Sequence, residues 1–323
     1  MCYSAEIWAD YRKYVRNWGA DLGIQDFVRL YWNRQQKPLI KIPKAMDAAF
    51  ADPQDDEQRQ IKALIDAFDN QQASKLEQDL FKQRKRLADA ERTLLTKTTK
   101  AATESKRIAT DKIGWSLRKL ADLRRTELKD RDSRIFPGWY APVMVMENGR
   151  RVIKPMRYQC RPAGKPEFVG SVPYDVKFQG CYNARRDNLE GFWKGQFGFS
   201  HGVMVANAFY ENVSRHAMEG RELAQGEKEE NVVLEFRPNH GQEMLVACLW
   251  SCWEGPNEEL LSFAAITDEP PAEVAAAGHD RCIIPIKPEN IDAWLNPDRA
   301  NLAAQYAILD DRDRPYYEHR MAA

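Results

Sequence analysis

Cys2 is the first residue of this chain whose type and position suggest chemistry. It follows Met1, and because its side chain is small, removal of Met1 is expected to be efficient and would leave an α-amine and a thiol on one residue. Both groups have reference pKa values of about 8 to 8.5, so both are partly nucleophilic near neutral pH. An amine adds to an aldehyde to give a Schiff base, and the thiol can then close on the imine to form a thiazolidine. A Met-Cys start also arises by chance, so other residues must decide.

Two further patches carry polar groups that suit a reacting centre. "CYNARRDNL" (residues 181–189) contains Asn183, whose amide donates and accepts hydrogen bonds. In the same patch Arg185 and Arg186 have the planar guanidinium that clamps phosphate. "ANAFYENV" (residues 206–213) places Glu211 on the same side of a predicted strand as Phe209, where a partly desolvated carboxylate serves as acid or base. A polar turn with a surface arginine pair and a strand-end glutamate are the ordinary alternatives.

The fourth patch is "AAGHDRCIIPI" (residues 276–286), which contains His279 followed by Asp280 and Arg281. Histidine is the side chain best suited to proton transfer near pH 7. The alternative interpretation is a turn histidine held by Asp280. Each patch is therefore ambiguous when it is taken alone.

Composition limits the class of protein. The chain has 323 residues, of which 43% are hydrophobic and 11% aromatic, so it predicts one large globular domain or two smaller ones. The formal net charge is zero and does not itself indicate nucleic acid, although a locally basic face is still compatible with it. The six cysteines include no C-x-x-C pair, and no His or Cys cluster has zinc spacing, so we expect no cofactor and no metal.

The expected location is cytoplasmic, or nucleoid-associated if the protein is bacterial. The first dozen residues carry charges and aromatics rather than the apolar core of a secretory signal. No apolar run of about 18 residues is present, so no membrane contact is expected.

The first half of the chain reads as helical. "AEIWADYRKYVRNW" within residues 5–34 has a helical apolar pattern that ends near Gly19 and Gly23, and "IQDFVRLYW" predicts a second short helix. Between Pro53 and Gly114 there is no proline or glycine, and strong helix formers dominate. An apolar residue recurs every seven positions, which predicts a long amphipathic helix or a helical hairpin: Leu80, Leu87, Leu94, Ala101, Ile108 and Trp115.

Residues 75–131 carry a local excess of positive charge, with 17 Lys and Arg against 9 Asp and Glu. Such runs are usually a solvated helix face. The functional alternative is an arm that contacts DNA phosphates or a protein partner.

After about residue 134 the pattern changes to strands. "ENG" between two valine-rich segments predicts a β-hairpin turn, and "PENIDAWLNP" predicts a short helix between prolines. We therefore predict an α+β fold with a mostly antiparallel β core and short helices, interrupted by a long charged helical insertion. The core would comprise residues 1–38 and 134–323, and the insertion residues 39–133.

Taken in order, the four patches resemble the SRAP family of abasic site processing proteins. The family pattern has Met-Cys at the start, then Asn-Ala-Arg, Phe-Tyr-Glu and His-Asp-Arg. The matching segments here are Met1-Cys2, Asn183-Ala184-Arg185, Phe209-Tyr210-Glu211 and His279-Asp280-Arg281. The resemblance covers about residues 1–38 and 134–300.

The resemblance implies a sensor of abasic sites in single-stranded DNA that cross-links to the ring-opened sugar through a thiazolidine. Cys2 would be the nucleophile, and Asn183 would position its amine or the sugar. Glu211 would shuttle protons, and His279 would assist sugar ring opening and reversal of the link. Arg185 would bind phosphate, as would Arg186 and Arg281. The resemblance also implies removal of the protein's own N-terminal residues, as a peptidase, and lyase activity through the Schiff base.

The chain departs from the family pattern at several positions. Tyr3 and Ser4 stand where the family usually has Gly-Arg, so a phosphate contact is missing unless Arg12 or the basic insertion supplies it. Asn212 stands where a tryptophan is usual, and two tryptophans expected in the segment "YQCRPAGKPEFVG" are absent. Stacking on DNA bases would then depend on other aromatics: Trp139, Tyr140 or Trp193.

Two other functions fit the same residues. Cys2 with His279 could hydrolyse a peptide or a small amide, as an amidohydrolase or peptidase. Alternatively, the chain could be a structural adaptor in which the helical insertion binds a partner and the β core is inert.

Overall fold

The computed structural model describes residues 3–256 and 258–322. Cys2, on which the proposed chemistry depends, lies outside the described residues. The helices are α1 (Tyr11–Trp18), α2 (Ile24–Gln36), α3 (Lys44–Ala48), α4 (Asp56–Thr96), α5 (Lys100–Arg124), α6 (Tyr174–Lys177), α7 (Arg215–Met218), α8 (Ala272–Ala276), α9 (Ile291–Leu295) and α10 (Leu302–Asp310). Short 3₁₀ turns lie at Asp130–Ser133, Arg186–Asn188, Asn239–Gly241 and Pro288–Asn290.

Most strands belong to one large sheet, so the fold is α+β, as predicted. The strands are β1 (Ser4–Ile7), β2 (Asp21–Leu22), β3 (Arg134–Ile135), β4 (Tyr140–Glu147), β5 (Arg150–Tyr158), β6 (Phe168–Val169), β7 (Val172–Pro173), β8 (Asn183–Arg185), β9 (His201–Ser214), β10 (Asn231–Pro238), β11 (Met244–Glu254), β12 (Glu259–Asp268), β13 (Cys282–Ile283) and β14 (Tyr317–Met321).

The sheet closes on itself. Strands β9, β11, β12, β5 and β4 pair in that order, and β4 returns to β9 where Met144 lies opposite Val203. Closure removes the exposed edges and encloses a core of alternating inward side chains. Most neighbouring strands are antiparallel, whereas β5 and β8 run parallel to β12.

Strand β9 is long, and its two halves pair with different strands. Its first half pairs with β11, and its second half, which contains Glu211, pairs with β10 on one side and β1 on the other. The short β3 covers the far edge of β1 through Ala5 opposite Ile135. The first described residues of the chain therefore lie inside the sheet rather than at its edge.

This placement corrects the helix predicted from the start of residues 5–34. Ser4–Ile7 form β1, and the helix begins only after Asp10, whose side chain accepts a hydrogen bond from the backbone N–H of Arg12. Pairing with strands on both sides outweighs local helix propensity here. The predicted end at Gly19 is confirmed, because this residue terminates α1 with a positive φ of 59°. The second helix, α2, is also confirmed.

Helices α4 and α5 form the predicted helical hairpin, reversing at residues 97–99. The Thr99 side chain caps α5 by accepting a hydrogen bond from the backbone N–H of Ala102. The predicted seven-residue stripe is wrong in α5, where Trp115 is 48% exposed and the buried residues are Ala102, Ala109, Ser116 and Leu120. A heptad frame cannot continue through a chain reversal, so the buried face shifts by one residue.

The predicted turn between β4 and β5 is confirmed. Asn148 and Gly149 both have positive φ, 52° and 74°, which is the backbone that a two-residue hairpin needs and that Asn-Gly adopts readily. The short helix in "PENIDAWLNP" is also present, as α9.

The base of the helical hairpin is part of the main core. Met46, Phe50, Ile61 and Ile65 are buried in the same apolar cluster as the sheet. The outer part of α4 and α5 buries mainly small or polar side chains between the two helices. Among the described residues, no helix combines the length and apolar character needed to cross a membrane.

Candidate functional site

Glu211 and His279 form a buried acid–base pair. Nε2 of His279 lies 3.1 Å from Oε2 of Glu211, and the two side chains are 8% and 0% exposed. Glu211 comes from the second half of β9, on the same face as Phe209, and His279 comes from the loop before β13. Both residues are candidates from the sequence, and the fold brings them into contact.

The other ring nitrogen of His279 is held by its own loop. Nδ1 lies 2.9 Å from the carbonyl oxygen of Arg281 and 3.3 Å from its backbone nitrogen. This contact fixes the orientation of the ring, so that Nε2 points at the carboxylate of Glu211. The pair can thus hold one proton between a carboxylate and an imidazole and pass it to a third group.

Asn183 opens β8 as a buried residue, only 7% exposed. Neither its amide nitrogen nor its amide oxygen has a hydrogen-bond partner within the part of the chain that the structure describes. Buried amides are normally hydrogen-bonded, and exceptions often mark a functional group. The backbone around it is well held, since β8 runs beside β12 with Asn183 opposite Ala265.

Tyr3 and Ser4 contact both the segment that carries Asn183 and the segment that carries Glu211. The ring of Tyr3 lies edge-on to the ring of Tyr182, with centroids 6.3 Å apart, and Tyr182 directly precedes Asn183. Ser4 lies opposite Tyr210, which directly precedes Glu211. The segments that carry Asn183 and Glu211, and through Glu211 also His279, therefore converge on the first described residues.

Arg185 and Arg281 both lie near Asp187, Arg185 at the surface and Arg281 with only 18% of its side chain exposed. Arg185 is 49% exposed and donates from Nε to Asp187 over 3.0 Å. That hydrogen bond lowers the pKa of Asp187, and the nearby charge of Arg281 lowers it further. Arg281 itself lies 3.8 Å from Asp280. In the absence of DNA, the positive charge of each arginine is therefore paired with a neighbouring carboxylate.

Arg186 makes its contacts mainly with helix α10. It forms an ion pair with Asp310 of α10 at 2.5 Å, and its guanidinium lies 5.6 Å from the ring of Tyr306 on the same helix. Its contacts fasten α10 to the loop after β8.

The aromatic candidates for base stacking separate into two groups. Trp193 is 3% exposed, so the expectation that it stacks on DNA is wrong, because its ring is packed in the core. Trp139 is partly exposed and packs 5.8 Å from Phe136, whose ring in turn lies 5.8 Å from Tyr3. An aromatic cluster of Tyr3, Phe136 and Trp139 therefore flanks the start of the chain.

Arg134 is a further residue that the fold places beside Ser4, and no motif in the sequence marks it. Its Nε donates to the hydroxyl of Ser4 over 3.0 Å, and its guanidinium lies 3.7 Å from the centroid of the Tyr210 ring. Nothing in the local sequence distinguishes this arginine, because its position depends on the pairing of β3 with β1.

The five cysteines that the structure describes are poor nucleophiles. Burial raises the pKa of every one of their thiols, so little thiolate is present at neutral pH. The pKa of the Cys282 thiol is raised mainly by burial and also by the nearby negative charge of Glu211. Among the described residues, no group of three or more His, Cys, Asp or Glu is arranged to hold a metal ion.

Comparison with known proteins decides the family. The model of the SOS response associated peptidase (SRAP) family matches residues 91–321, which is more than half of the chain. The protein belongs to the SRAP family. Membership supports a role linked to DNA damage and abasic sites, with abasic site processing and DNA binding at the level of the family.

Solved structures that resemble part of this SRAP protein share little sequence with it. They include a protein from Bordetella bronchiseptica, 15% identical over 59% of this chain and 87% of that one, with a TM-score of 0.44. A phage-related protein from the same organism is 19% identical over 58% of this chain and 80% of that one, with a TM-score of 0.43. A protein from Bacteroides thetaiotaomicron is 13% identical over 57% of this chain and 74% of that one, with a TM-score of 0.42. A comparison with curated proteins finds no match.

Proposed function

We propose that this SRAP protein senses abasic sites in single-stranded DNA and cross-links to them through Cys2 after Met1 has been removed. The observation that supports the proposal is the convergence on the chain start. Tyr3 contacts the residue before Asn183, Ser4 pairs with the residue before Glu211, and Glu211 contacts His279. Cys2 directly precedes Tyr3 in the sequence, and this adjacency connects the proposed nucleophile with the three groups.

The proposed reaction begins with the ring-opened sugar. The α-amine of Cys2 adds to the C1′ aldehyde, and the resulting carbinolamine loses water to give an imine. The thiol sulfur then adds to the imine carbon, its proton passes to nitrogen, and a thiazolidine results. One water molecule is released and no oxidant or reductant is needed.

The other site residues take complementary roles in this proposal. The Glu211–His279 pair donates the proton that leaves with water and accepts the proton of the thiol. His279 also assists opening of the sugar ring and reversal of the link. Asn183, whose buried amide has no hydrogen-bond partner among the described residues, orients the amine or the sugar hydroxyls. Arg185, Arg186 and Arg281 bind phosphate, exchanging their carboxylate neighbours for DNA.

Cross-linking of purified protein tests this proposal directly. Protein whose intact mass shows loss of Met1 is mixed with a single-stranded oligonucleotide that contains an abasic site. We expect an adduct that survives SDS, and we expect Cys2→Ala to abolish it. Equal adduct formation by Cys2→Ala would falsify the mechanism. Cys252→Ala is a matched control, because Cys252 is partly buried in β11 and its thiol pKa is raised by burial.

The name of the family, SOS response associated peptidase, supports a second candidate. In it, Cys2 and His279 hydrolyse an amide bond, either in self-processing or in another substrate. Turnover separates the candidates, because a hydrolase releases product repeatedly whereas the cross-linker is consumed once per site. Lyase activity through the Schiff base would instead appear as cleaved DNA.

We also propose that residues 39–133 are an insertion into the catalytic and DNA-binding part, residues 1–38 and 134–323. Its outer section is the helical hairpin, whose groove is lined by Lys82, Lys85 and Arg86 together with Asp89. This positive charge favours an extra contact with DNA phosphates, and the alternative is a protein partner, which is the adaptor function.

A further inference from the structure

The guanidinium of Arg134 is held through Nε, while its two terminal nitrogens are left available for a ligand. Nε donates to Ser4, and the guanidinium stacks on Tyr210 at 3.7 Å and approaches Phe136 at 5.0 Å from the ring centroid. Within the described part of the chain, no residue accepts a hydrogen bond from the two terminal nitrogens of Arg134. The contacts orient a planar pair of N–H donors without using them.

The charge of Arg134 is not balanced as the charges of its neighbours are. Arg237 forms ion pairs with Glu6 and Glu235, and Arg320 bonds Glu235 as well. Glu235 is close enough to Arg134 to favour its charged form, but its oxygens already accept from those two arginines. Burial lowers the pKa of Arg134. The guanidinium nevertheless stays protonated.

We propose that Arg134 binds the DNA phosphate adjacent to the abasic sugar, an inference that rests on the proposed function. Its open edge offers the bidentate geometry that suits a phosphate. Its contact with Ser4 places it two residues from Cys2, so a phosphate held there would lie beside the reacting sugar. Stacking on Tyr210 restricts the movement of the Arg134 side chain, so its guanidinium is held in one position for the phosphate.

Salt-dependent binding tests this inference separately from cross-linking. The probe is a single-stranded oligonucleotide with a tetrahydrofuran residue, a stable abasic analogue that has no aldehyde and cannot form a Schiff base. Loss of one phosphate contact lowers the slope of log affinity against log salt by about 0.7 for a single strand. We expect Arg134→Gln to show this smaller slope and roughly ten-fold weaker binding at low salt. Arg134→Lys should keep the slope and bind less tightly than wild type, because lysine lacks the fork.

Arg16→Gln is the matched control, since it removes the same charge from an exposed position on α1. An equal slope for Arg134→Gln, Arg16→Gln and wild type overturns the inference, including when Arg134→Gln melts at a lower temperature. Wild-type protein that fails to bind the analogue overturns it as well. Failure of wild type to cross-link a true abasic oligonucleotide, with the slope difference intact, instead sinks the proposed chemistry and leaves the phosphate contact standing.

Discussion

Nε2 of His279 lies 3.1 Å from the carboxylate of Glu211 in β9, and both side chains are buried. The second nitrogen of the imidazole is held by the backbone of Arg281. The pair is therefore oriented before any substrate arrives, as proton transfer requires.

Replacing Glu211 by Gln should slow formation of the DNA adduct by about 100-fold or more, because a positioned acid or base typically contributes at least that much. Glutamine keeps the size of the side chain and a hydrogen bond to His279. Single-turnover cross-linking at saturating DNA measures the rate. Binding of the tetrahydrofuran oligonucleotide should stay unchanged, and a rate within two-fold of wild type rules out the proposed role.

Combining Glu211→Gln with His279→Ala should cost little more than the worse single change. Residues that act as one unit show strongly non-additive losses. The same single-turnover assay, completed as a double-mutant cycle, gives the coupling. Fully multiplied losses would mean that the two side chains serve separate steps.

Asn183→Ala should separate function from stability. The buried amide makes no hydrogen bond within the described residues, so its removal breaks none, and the free energy of unfolding should change by no more than about 1 kcal/mol. Adduct formation should fall by at least ten-fold, since loss of one oriented donor costs about 1.4 kcal/mol or more. Urea unfolding and cross-linking on the same preparation check both. A large loss of stability with normal cross-linking would contradict this assignment.

His201 should make the fold sensitive to acid. Burial lowers the pKa of its ring to about 3, and its two nitrogens bond the backbone of Gly198 and Trp294. Between pH 6.5 and 3 the unfolded chain binds a proton that the folded chain does not, so stability falls as the pH is lowered through this range. The loss is about 1.4 kcal/mol per pH unit. Urea unfolding at pH 6.5 and 5 should show about 2 kcal/mol more loss for wild type than for His201→Gln.

Shortening the helical hairpin should leave cross-linking intact. Leu76 and Trp115 line one cavity at the base of the hairpin, so a short Gly-Ser linker can replace residues 77–114 while Ile61 and Ile65 stay in the core. We expect a folded protein with the wild-type adduct rate at saturating DNA and weaker, less salt-dependent binding. Loss of adduct at saturating DNA, in a protein that still melts cooperatively, would place the hairpin in the reaction itself.

The sequence predicts correctly those features that depend only on neighbouring residues, such as turns and long helices. Asn148-Gly149 specifies a two-residue turn, and the absence of proline and glycine between Pro53 and Gly114 specifies long helices. The chemistry-bearing types of Glu211 and His279 were also recognisable from their patches. Their contact was not, because it depends on how β9 and the loop before β13 meet in the closed sheet.

The failures have a common physical cause, which is tertiary pairing that overrides local preference. Residues 5–7 are predicted to be helical but belong to β1, because β9 and β3 offer hydrogen bonds on both sides. Arg134 had no distinguishing neighbours in the sequence and gained its position through the same pairing. Trp193 was an aromatic candidate by type alone, and only the packed core removes it.

The burial of β1 between two strands has a mechanical consequence. DNA joined to Cys2 would pull on the chain just before β1, and the hydrogen bonds of β1 to β9 and β3 would resist that pull. A motor that translocates on the strand would then meet an obstacle anchored inside the sheet. Force spectroscopy on the adduct, with Ala5→Pro removing one of those hydrogen bonds, would show a lower rupture force if β1 bears the load.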